Sequence, residues 1–329
     1  MTRPRVGFLG TGWIGRNRME AMVATGAIEV TAVCEPDDEC AAAALEIAPG
    51  ARRLATFADM LAEGLDGIVI ATPSAFHAEQ TVAALGSGAA VFCQKPLGRD
   101  AAETQTAIDA AKRADRLLAV DLSYRRTAAV EAIAPLIRGG SLGRVFAVDL
   151  TFHNAYGPGK PWFFDRAQSG GGGVVDLGVH LVDLALWLLD FPETEDVQAR
   201  LFAKGRPLAG NAQAVEDYAS ARLDLAGGIS VNLACSWNLN AGTEAVIEAT
   251  FHGTEASVGF RNIGGSFYDF EAYLNRGTAR EVIAAPPDAW GGRVAADWAE
   301  RLGRDRSYDP AVENVAAVAE VLDRIYSAA

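Results

Sequence analysis

Over the first 120 residues, short apolar runs alternate with amphipathic ones. Val6–Leu9, Val30–Cys34, Gly67–Ala71, Ala89–Cys93 and Leu117–Val120 are nearly continuous apolar stretches, as expected of strands covered on both faces. Between them Ile14–Thr25, Asp38–Ala48, Thr56–Glu63, His77–Ser87 and Ala101–Ala114 carry helical spacing. This alternation predicts an α/β fold built on a doubly wound parallel sheet. The pattern changes after Asp121. A helix is predicted over Thr127–Arg138, ended by Gly139 and Gly140, and Arg144–Phe152 then alternates residue by residue. Alternation marks a strand with one covered and one open face, as in an open, mostly antiparallel sheet. Further strand-like runs follow at Val197–Ala203, Asp217–Leu225, Gly228–Ser236, Ala245–His252 and Ala256–Phe260. A very apolar helix is predicted over Val174–Leu189, and an amphipathic one from Asp309-Pro310 onward. No repeat or low-complexity linker interrupts the chain. A first domain is expected over 1–122 and a second, α+β domain over 123–329.

Composition adds exclusions. A length of 329 residues suits two domains. Half the residues are hydrophobic, too many for a disordered chain. Lys and Arg number 29 against 42 Asp and Glu, a formal net charge of −13. Nucleic acid and anionic membranes are bound through clustered cations, so neither is an expected partner. Cys34, Cys40, Cys93 and Cys235 are far apart with no CxxC pair, which fits reduced thiols. The first nine residues hold no apolar signal core. No uninterrupted apolar run reaches the roughly 18–20 residues of a membrane span. A soluble, cytoplasmic protein is expected.

Candidate chemistry begins where the first strand meets the first helix. Gly10-Thr11-Gly12-Trp13-Ile14-Gly15 is a GxGxxG in that position. In such a loop the first glycine makes the turn, the second lets the backbone approach a pyrophosphate, and the third lets helix and strand pack closely. The helix N-terminus then offers free N–H groups and partial positive charge. The second strand runs to Glu35, 20 residues past Gly15, where a carboxylate can take the adenosine ribose hydroxyls. Pro36, Asp37 and Asp38 follow, with no Arg or Lys nearby to pair a 2′-phosphate. NAD is therefore favoured over NADP. The same acidic turn also suits a helix cap. Thr72, Pro73 and Ser74 lie at the carboxyl end of a predicted strand, where ligands of such sheets bind. His77 joins them as a candidate cofactor contact, or serves only as a first-turn helix residue.

Gln94-Lys95-Pro96 follows another buried strand. Lys95 there would stand near the nicotinamide end of a cofactor, able to hold a hydroxyl or join a proton relay. The Lys95–Pro96 bond allows a cis form that would aim the lysine; the plainer reading is a lysine that starts a loop. The densest chemistry lies in Gly170–Asp183, whose sequence is GGGGVVDLGVHLVD. On an α-helix Asp176, His180 and Asp183 fall at i, i+4 and i+7 and share a face. Gly178 leaves room beside His180, and the glycine run lets backbone approach a neighbour closely. A carboxylate one turn from an imidazole suits acid/base catalysis. A metal site or a buried polar network uses the same residue types. No further His/Cys cluster accompanies them, and no metal is expected.

These motifs together resemble the Gfo/Idh/MocA family, the glucose–fructose oxidoreductases and inositol dehydrogenases. The resemblance covers nearly the whole chain. It rests on GTGWIG at 10–15, TPSAFH at 72–77, QKPLG at 94–98, SYRR at 123–126, the strand after Leu142-Gly143, Trp162 through Asp165, and SGGGGVVDLGVHLVD at 169–183. It implies an N-terminal Rossmann domain and a C-terminal domain with a large open sheet that serves a homo-oligomer, dimer or tetramer, as its interface. It also implies nicotinamide-dependent oxidation or reduction of a sugar, inositol or similar polyol. Carried over by motif, Lys95, Asp176 and His180 are the expected catalytic set, with Asp176 binding substrate and His180 as acid/base. Gln94 stands where the family has Glu, and Ser74 where Asn is frequent. Tyr124, Arg125, His153, Asn154, Tyr156, Trp162 and Asp165 are candidate substrate contacts. Two alternatives use the same fold: a non-catalytic NAD-binding regulator or sensor, and an NAD-dependent sugar lyase or hydrolase that oxidises its substrate only transiently.

Overall fold

The five apolar runs of the N-terminal third each form a strand, and a sixth joins them at one edge. In the computed structural model, which describes residues 3–210 and 212–329, these are β1 (Arg5–Leu9), β2 (Glu29–Cys34), β3 (Arg52–Arg53), β4 (Gly67–Ile70), β5 (Ala90–Cys93) and β6 (Leu118–Val120). They pair in parallel in the order β3-β2-β1-β4-β5-β6, the dinucleotide-binding order whose switch point lies between β1 and β4. The two-residue β3 is the strand the apolar pattern misses: both its residues are exposed arginines. The helices are α1 (Trp13–Ala24), α2 (Asp38–Ile47), α3 (Phe57–Ala62), α4 (His77–Gly86) and α5 (Ala101–Ala114). Their starts are those the polar residues mark: Asp37, Thr56 and Asp100 each accept an N-terminal amide of the helix that follows. One core layer collects residues of α3, α4 and α5; the other collects Met19 and Met22 of α1 and Ala44 of α2.

That second layer also holds a helix absent from the sequence reading. Arg293–Leu302 presents Ala295, Trp298, Ala299 and Leu302 to the sheet. Trp298 fills the space over Gly67, where a Cβ would stand 2.7 Å from the indole, and its ring lies 5.9 Å from that of Phe92. The first compact unit therefore runs to Ser123 and takes in Gly291–Ala316; the second comprises Tyr124–Trp290 and Ala317–Ala329. The boundary expected at 122/123 lies beside the observed one, but the chain returns to the first unit, because this helix covers a face that would otherwise expose Phe92 and Val69.

The second unit carries β7 (Val145–Asn154), β8 (Thr194–Ala203), β9 (Arg206–Leu208), β10 (Tyr218–Leu225), β11 (Ile229–Ser236), β12 (Ala245–Gly253), β13 (Ser257–Asn262), β14 (Phe270–Arg276) and β15 (Ala279–Ala284). Their order is β15-β14-β13-β12-β7-β11-β10-β8-β9, antiparallel except for the β7–β11 pair. α6 (Ala128–Arg138), α7 (Arg166–Ser169), α8 (Val179–Leu188) and most of the C-terminal helix Asn314–Ser327 also belong to it. α6 and α8 join one face of the sheet in a single apolar core. Among the described residues one helical run, Arg166–Leu188, is long and apolar enough to cross a membrane, and 83% of its apolar window is buried. The opposite face of the sheet is polar and open: Asn232 and His252 both bond Asp149 at 3.0 Å, and Arg261 donates to Glu271 at 2.7 Å. All four cysteines are free thiols.

The returning helix yields a prediction. Trp298→Ala should cost about 3–5 kcal/mol of unfolding free energy, the range for emptying a buried aromatic site. Urea unfolding measures it, and a loss below about 1 kcal/mol would mean that the helix is not part of the first unit's core.

Candidate active site

The glycine turn has the geometry that its spacing requires. Gly10 sits at φ +86°, and a Cβ on Gly15 would stand 2.4 Å from the carbonyl oxygen of Gly10. Thr11 is fully buried, whereas Trp13, the first residue of α1, is 61% exposed. Glu35 lies at the mouth of this turn, and its carboxylate accepts from Thr11 N at 2.6 Å and Asp37 N at 3.0 Å. Asp37 caps α2 by accepting from Cys40 N at 2.8 Å. The turn, the start of α1 and a carboxylate at the end of β2 suit a dinucleotide, with Gly10–Gly15 at the pyrophosphate and Glu35 at the adenosine ribose.

One premise from the sequence does not hold. Two arginines do stand beside the acidic turn. β3 pairs with β2 so that Arg53 lies opposite Val33, and its guanidinium donates to Asp38 Oδ1 (2.7 Å), Glu35 O (2.9 Å) and Pro36 O (3.2 Å). Arg16, one turn into α1, donates to Thr11 O at 2.9 Å, and its charge helps to hold the Asp37 carboxyl below its ordinary pKa, behind the amide of Cys40. Arg53 is 18 residues from Glu35 in the chain, a proximity that only strand pairing creates.

Gln94, Lys95 and Pro96 follow β5. The Lys95–Pro96 bond is cis. The tripeptide is gripped on both sides. On one side Gln94 Nε2 donates to Asp121 Oδ2 at 2.7 Å, and Arg18 Nε donates to the same oxygen at 2.6 Å. All three side chains are buried. On the other side His77, 1% exposed, turns its ring nitrogens to Pro96 O and Thr72 O, both at 2.7 Å. Burial pushes the His77 pKa below its ordinary value, and the nearby Lys95 charge adds to this against the two carbonyls. Both nitrogens of His77 are thus used inside the unit. Thr72 Oγ1 donates to Gln80 at 2.6 Å, and Pro73 and the buried Ser74 lead into α4. Gln94 now has a reason. A glutamate there would face the buried Asp121 carboxylate, whereas the amide supplies a donor to it.

In the second unit the glycine run enters not an α-helix but a π-helical turn over Val174–Gly178, where Val179 N–H reaches back five residues to Val174 O. α8 begins only at Val179. Asp176, His180 and Asp183 each meet side chains from other segments. Asp176 accepts from Trp237 Nε1 at 3.1 Å. The His180 ring lies 4.8 Å from that of Tyr124. Asp183, 2% exposed, is held by Arg125, whose Nε donates at 2.9 Å and whose Nη2 binds the second oxygen. The π turn alters the angular offset of Asp176 from His180 relative to its α-helical value, and Arg125 engages Asp183. Among the described residues no group of three His, Cys, Asp or Glu is arranged to hold a metal.

The candidate substrate contacts divide. Tyr124 is buried among Phe152, Phe270, Trp290 and His180, and burial raises its pKa. His153 pairs with Ser236 at 2.7 Å. Asn154 has a buried Oδ1 with no partner, an acceptor for which the fold supplies no donor. Tyr156 is half exposed, and Trp162 stacks on Phe163 at 3.8 Å. Asp165 caps α7, accepting from Ala167 N at 3.0 Å. Trp237 escaped the sequence reading although it holds Asp176; its only sequence signal is an indole at the end of a strand-like run. An open concavity of about 720 Å³, lined by Asp149, Arg200, Arg222 and Asn232 among others, lies on the polar face of the sheet, away from the face that α8 covers.

A dinucleotide turn in one unit and an Asp-x-Gly-x-His segment in the other define a dinucleotide-binding oxidoreductase. Two family models match the chain: an oxidoreductase family with an NAD-binding Rossmann fold over residues 4–122, and the GFO/IDH/MocA C-terminal domain over 130–259. The rhizopine catabolism protein MocA of Rhizobium meliloti is 31% identical over 263 residues, 76% of this chain and 80% of that protein. The D-apiose dehydrogenase of Paraburkholderia graminis is 29% identical over 86% of this chain and 73% of its own length. An inositol 2-dehydrogenase of Saccharopolyspora erythraea is 31% identical over 56% of this chain and 54% of that protein. The structure of a levoglucosan dehydrogenase in complex with NADH and L-sorbose shares the fold, with a TM-score of 0.83 at 23% identity over 100% of this chain and 97% of that one. The chain belongs to the Gfo/Idh/MocA family of oxidoreductases.

The Gln94–Asp121 contact is testable. Gln94→Glu places two buried carboxyl groups face to face. It should cost about 2–4 kcal/mol near pH 7, in the range for an uncompensated buried charge. The new carboxyl would have a raised pKa in the folded state. The cost is therefore full above that pKa and fades as pH falls toward the unfolded value of about 4.3. Urea unfolding of both proteins across this range checks it; a variant as stable as wild type at pH 7 would refute the contact.

Proposed function

We propose that the protein transfers hydride between NAD(H) and a carbinol or carbonyl carbon of a sugar, inositol or related polyol. The observation that carries this reading is the Asp176–His180 segment, with Asp176 fixed by Trp237 and the imidazole set against Tyr124, in a chain whose other unit bears the dinucleotide turn and Lys95. The sugar and inositol dehydrogenases among its relatives support the substrate class. Bound at Gly10–Gly15 and Glu35, the cofactor supplies the hydride acceptor or donor. His180 takes the proton of the reacting hydroxyl in the oxidative direction and returns it in the reductive one. Lys95, after β5 in the unit that bears the dinucleotide turn, is the group suited to hydrogen-bond a substrate oxygen and steady negative charge on it. Asp176 holds a neighbouring hydroxyl or the imidazole, and the free acceptor on Asn154 suits another substrate hydroxyl.

NAD is the cofactor this reading favours. Two main-chain amides hold the Glu35 carboxylate at the end of β2, a position that suits a ribose diol, and Arg53 is engaged by the acidic turn. Glu35→Ala should lower kcat/KM for NAD about 10–100-fold, the value of about 1.5–3 kcal/mol for a hydrogen bond to a charged group. It should lower kcat/KM for NADP much less. Equal losses with the two cofactors would overturn the preference. The open polar face of the second unit is the surface proposed for self-association; a solution mass of 34.6 kDa by light scattering, that of one chain, would remove that part.

The deciding experiment screens polyols, aldoses and glycosides for NADH formation with NAD⁺ and NADP⁺ in parallel. Net NADH formation separates a dehydrogenase from a regulator and from a lyase that returns its hydride. Lys95→Ala and His180→Ala should each lower turnover about 10²–10⁴-fold while NADH binding, read by fluorescence, stays near wild type. Near-normal turnover in either variant would sink the assignment of that residue.

A further inference from the structure

The glycine run has a partner that the proposed chemistry does not use. Glu216 immediately precedes the β10 region and is 1% exposed. Its carboxylate accepts from Gly172 N at 3.0 and 3.1 Å, from Val174 N at 2.8 Å and from the Tyr326 hydroxyl at 2.8 Å. Its main-chain oxygen accepts from Gly173 N at 3.1 Å. One residue thus holds three successive amides at the start of the segment that carries Asp176 and His180. Such amides have no partner within a helix, and the aligned peptide dipoles favour a negative group there.

The fit excludes side chains. A Cβ on Gly171 would stand 1.9 Å from the Tyr326 hydroxyl, and one on Gly172 would stand 1.9 Å from the Glu216 carbonyl oxygen. The close approach that the glycines permit is therefore to Glu216 and Tyr326. The grip continues on either side. Asp176 N bonds Gly172 O at 3.0 Å, and the Arg166 guanidinium lies 4.8 Å over the Tyr326 ring while donating to Gly210 O and Ala212 O.

We propose that Glu216 is a positioning residue for Asp176 and His180: by accepting from Gly172, Gly173 and Val174 it sets where the π turn begins, and so where both side chains point. Its activity readout rests on the proposed function; a second readout does not. Glu216→Ala, Glu216→Gln and Tyr326→Phe are compared with wild type in the full chain. Glu216→Ala should lower kcat by about tenfold or more, because a small misplacement of a reacting group is enough to do so, with KM for NAD unchanged within about twofold. Glu216→Gln, which keeps an acceptor oxygen, should recover most of that loss.

The chain has four histidines, so the His180 imidazole can be assigned by NMR with a His180→Gln variant. In cofactor-free protein its signal and titration should move in Glu216→Ala while those of His77, in the other unit, stay in place. A folded Glu216→Ala protein with wild-type kcat and an unmoved His180 signal would overturn the proposal. Equal losses in the Ala and Gln variants would also overturn it, by assigning the effect to charge rather than placement. If Glu216→Ala does not fold, Tyr326→Phe decides: a displaced His180 signal supports the proposal and an unmoved one refutes it. Absence of turnover with every sugar or polyol would defeat the proposed function and leave the NMR test intact.

Discussion

A carboxyl group withdrawn from water needs donors inside the protein, because burying it unpaired is far more costly than exposing it. Three such groups anchor the functional segments. Asp121 collects Arg18 and Gln94, and through Gln94 it fixes the strand end before Lys95. Asp183 collects Arg125, which seats the adjoining Tyr124 against His180. Glu216 collects backbone amides and a phenol instead of a cation. In the first two the partner is itself charged, so removing either member strands the other. In the third the donors are main-chain amides and the Tyr326 hydroxyl, so losing one of them leaves no cation stranded. The glycines at 171 and 172 follow from that choice, since only a bare backbone comes close enough.

How much was legible follows from what each feature depends on. The parallel sheet and its helices were readable because burial on both faces forces continuous apolar runs, and Asp37, Thr56 and Asp100 marked where helices start. The glycine turn was readable because its geometry is local. β3 and β15 were not, because edge strands with exposed residues carry no apolar signal. The helix Arg293–Leu302 was missed because only Gly67, more than 200 residues earlier, shows what its Trp298 packs against. At the candidate site Lys95, Asp176 and His180 stood out as residue types. Their holders Glu216, Asp121 and Trp237 did not, since a buried partner is defined by contacts between distant segments. The helical period gave no sign that Asp183 pairs with Arg125, 58 residues away in the chain.

The two arginines beside Glu35 show the same limit in electrostatic form. Local sequence made the ribose end uniformly acidic, but the fold adds Arg53 and Arg16 and brings that corner nearer to neutrality. A net charge of −13 is therefore a poor guide to the potential at any one subsite. Local donors decide whether an anion is held, as the free amides at the start of α1 illustrate.

The π turn over Val174–Gly178 has a further consequence. A turn closed by a bond five residues long holds one residue more than an α-helical turn. Removing any one residue from it would let the helix run regularly. The wide turn and an ordinary one each complete about one revolution, so the flanks would keep their facing while the residues inside the turn were redistributed about the axis. Asp176 would then leave Trp237, although every remaining side chain kept its identity. The geometry of this segment is thus encoded partly in how many residues it contains. Among descendants of such a chain, an insertion or deletion here would alter the chemistry more abruptly than most substitutions.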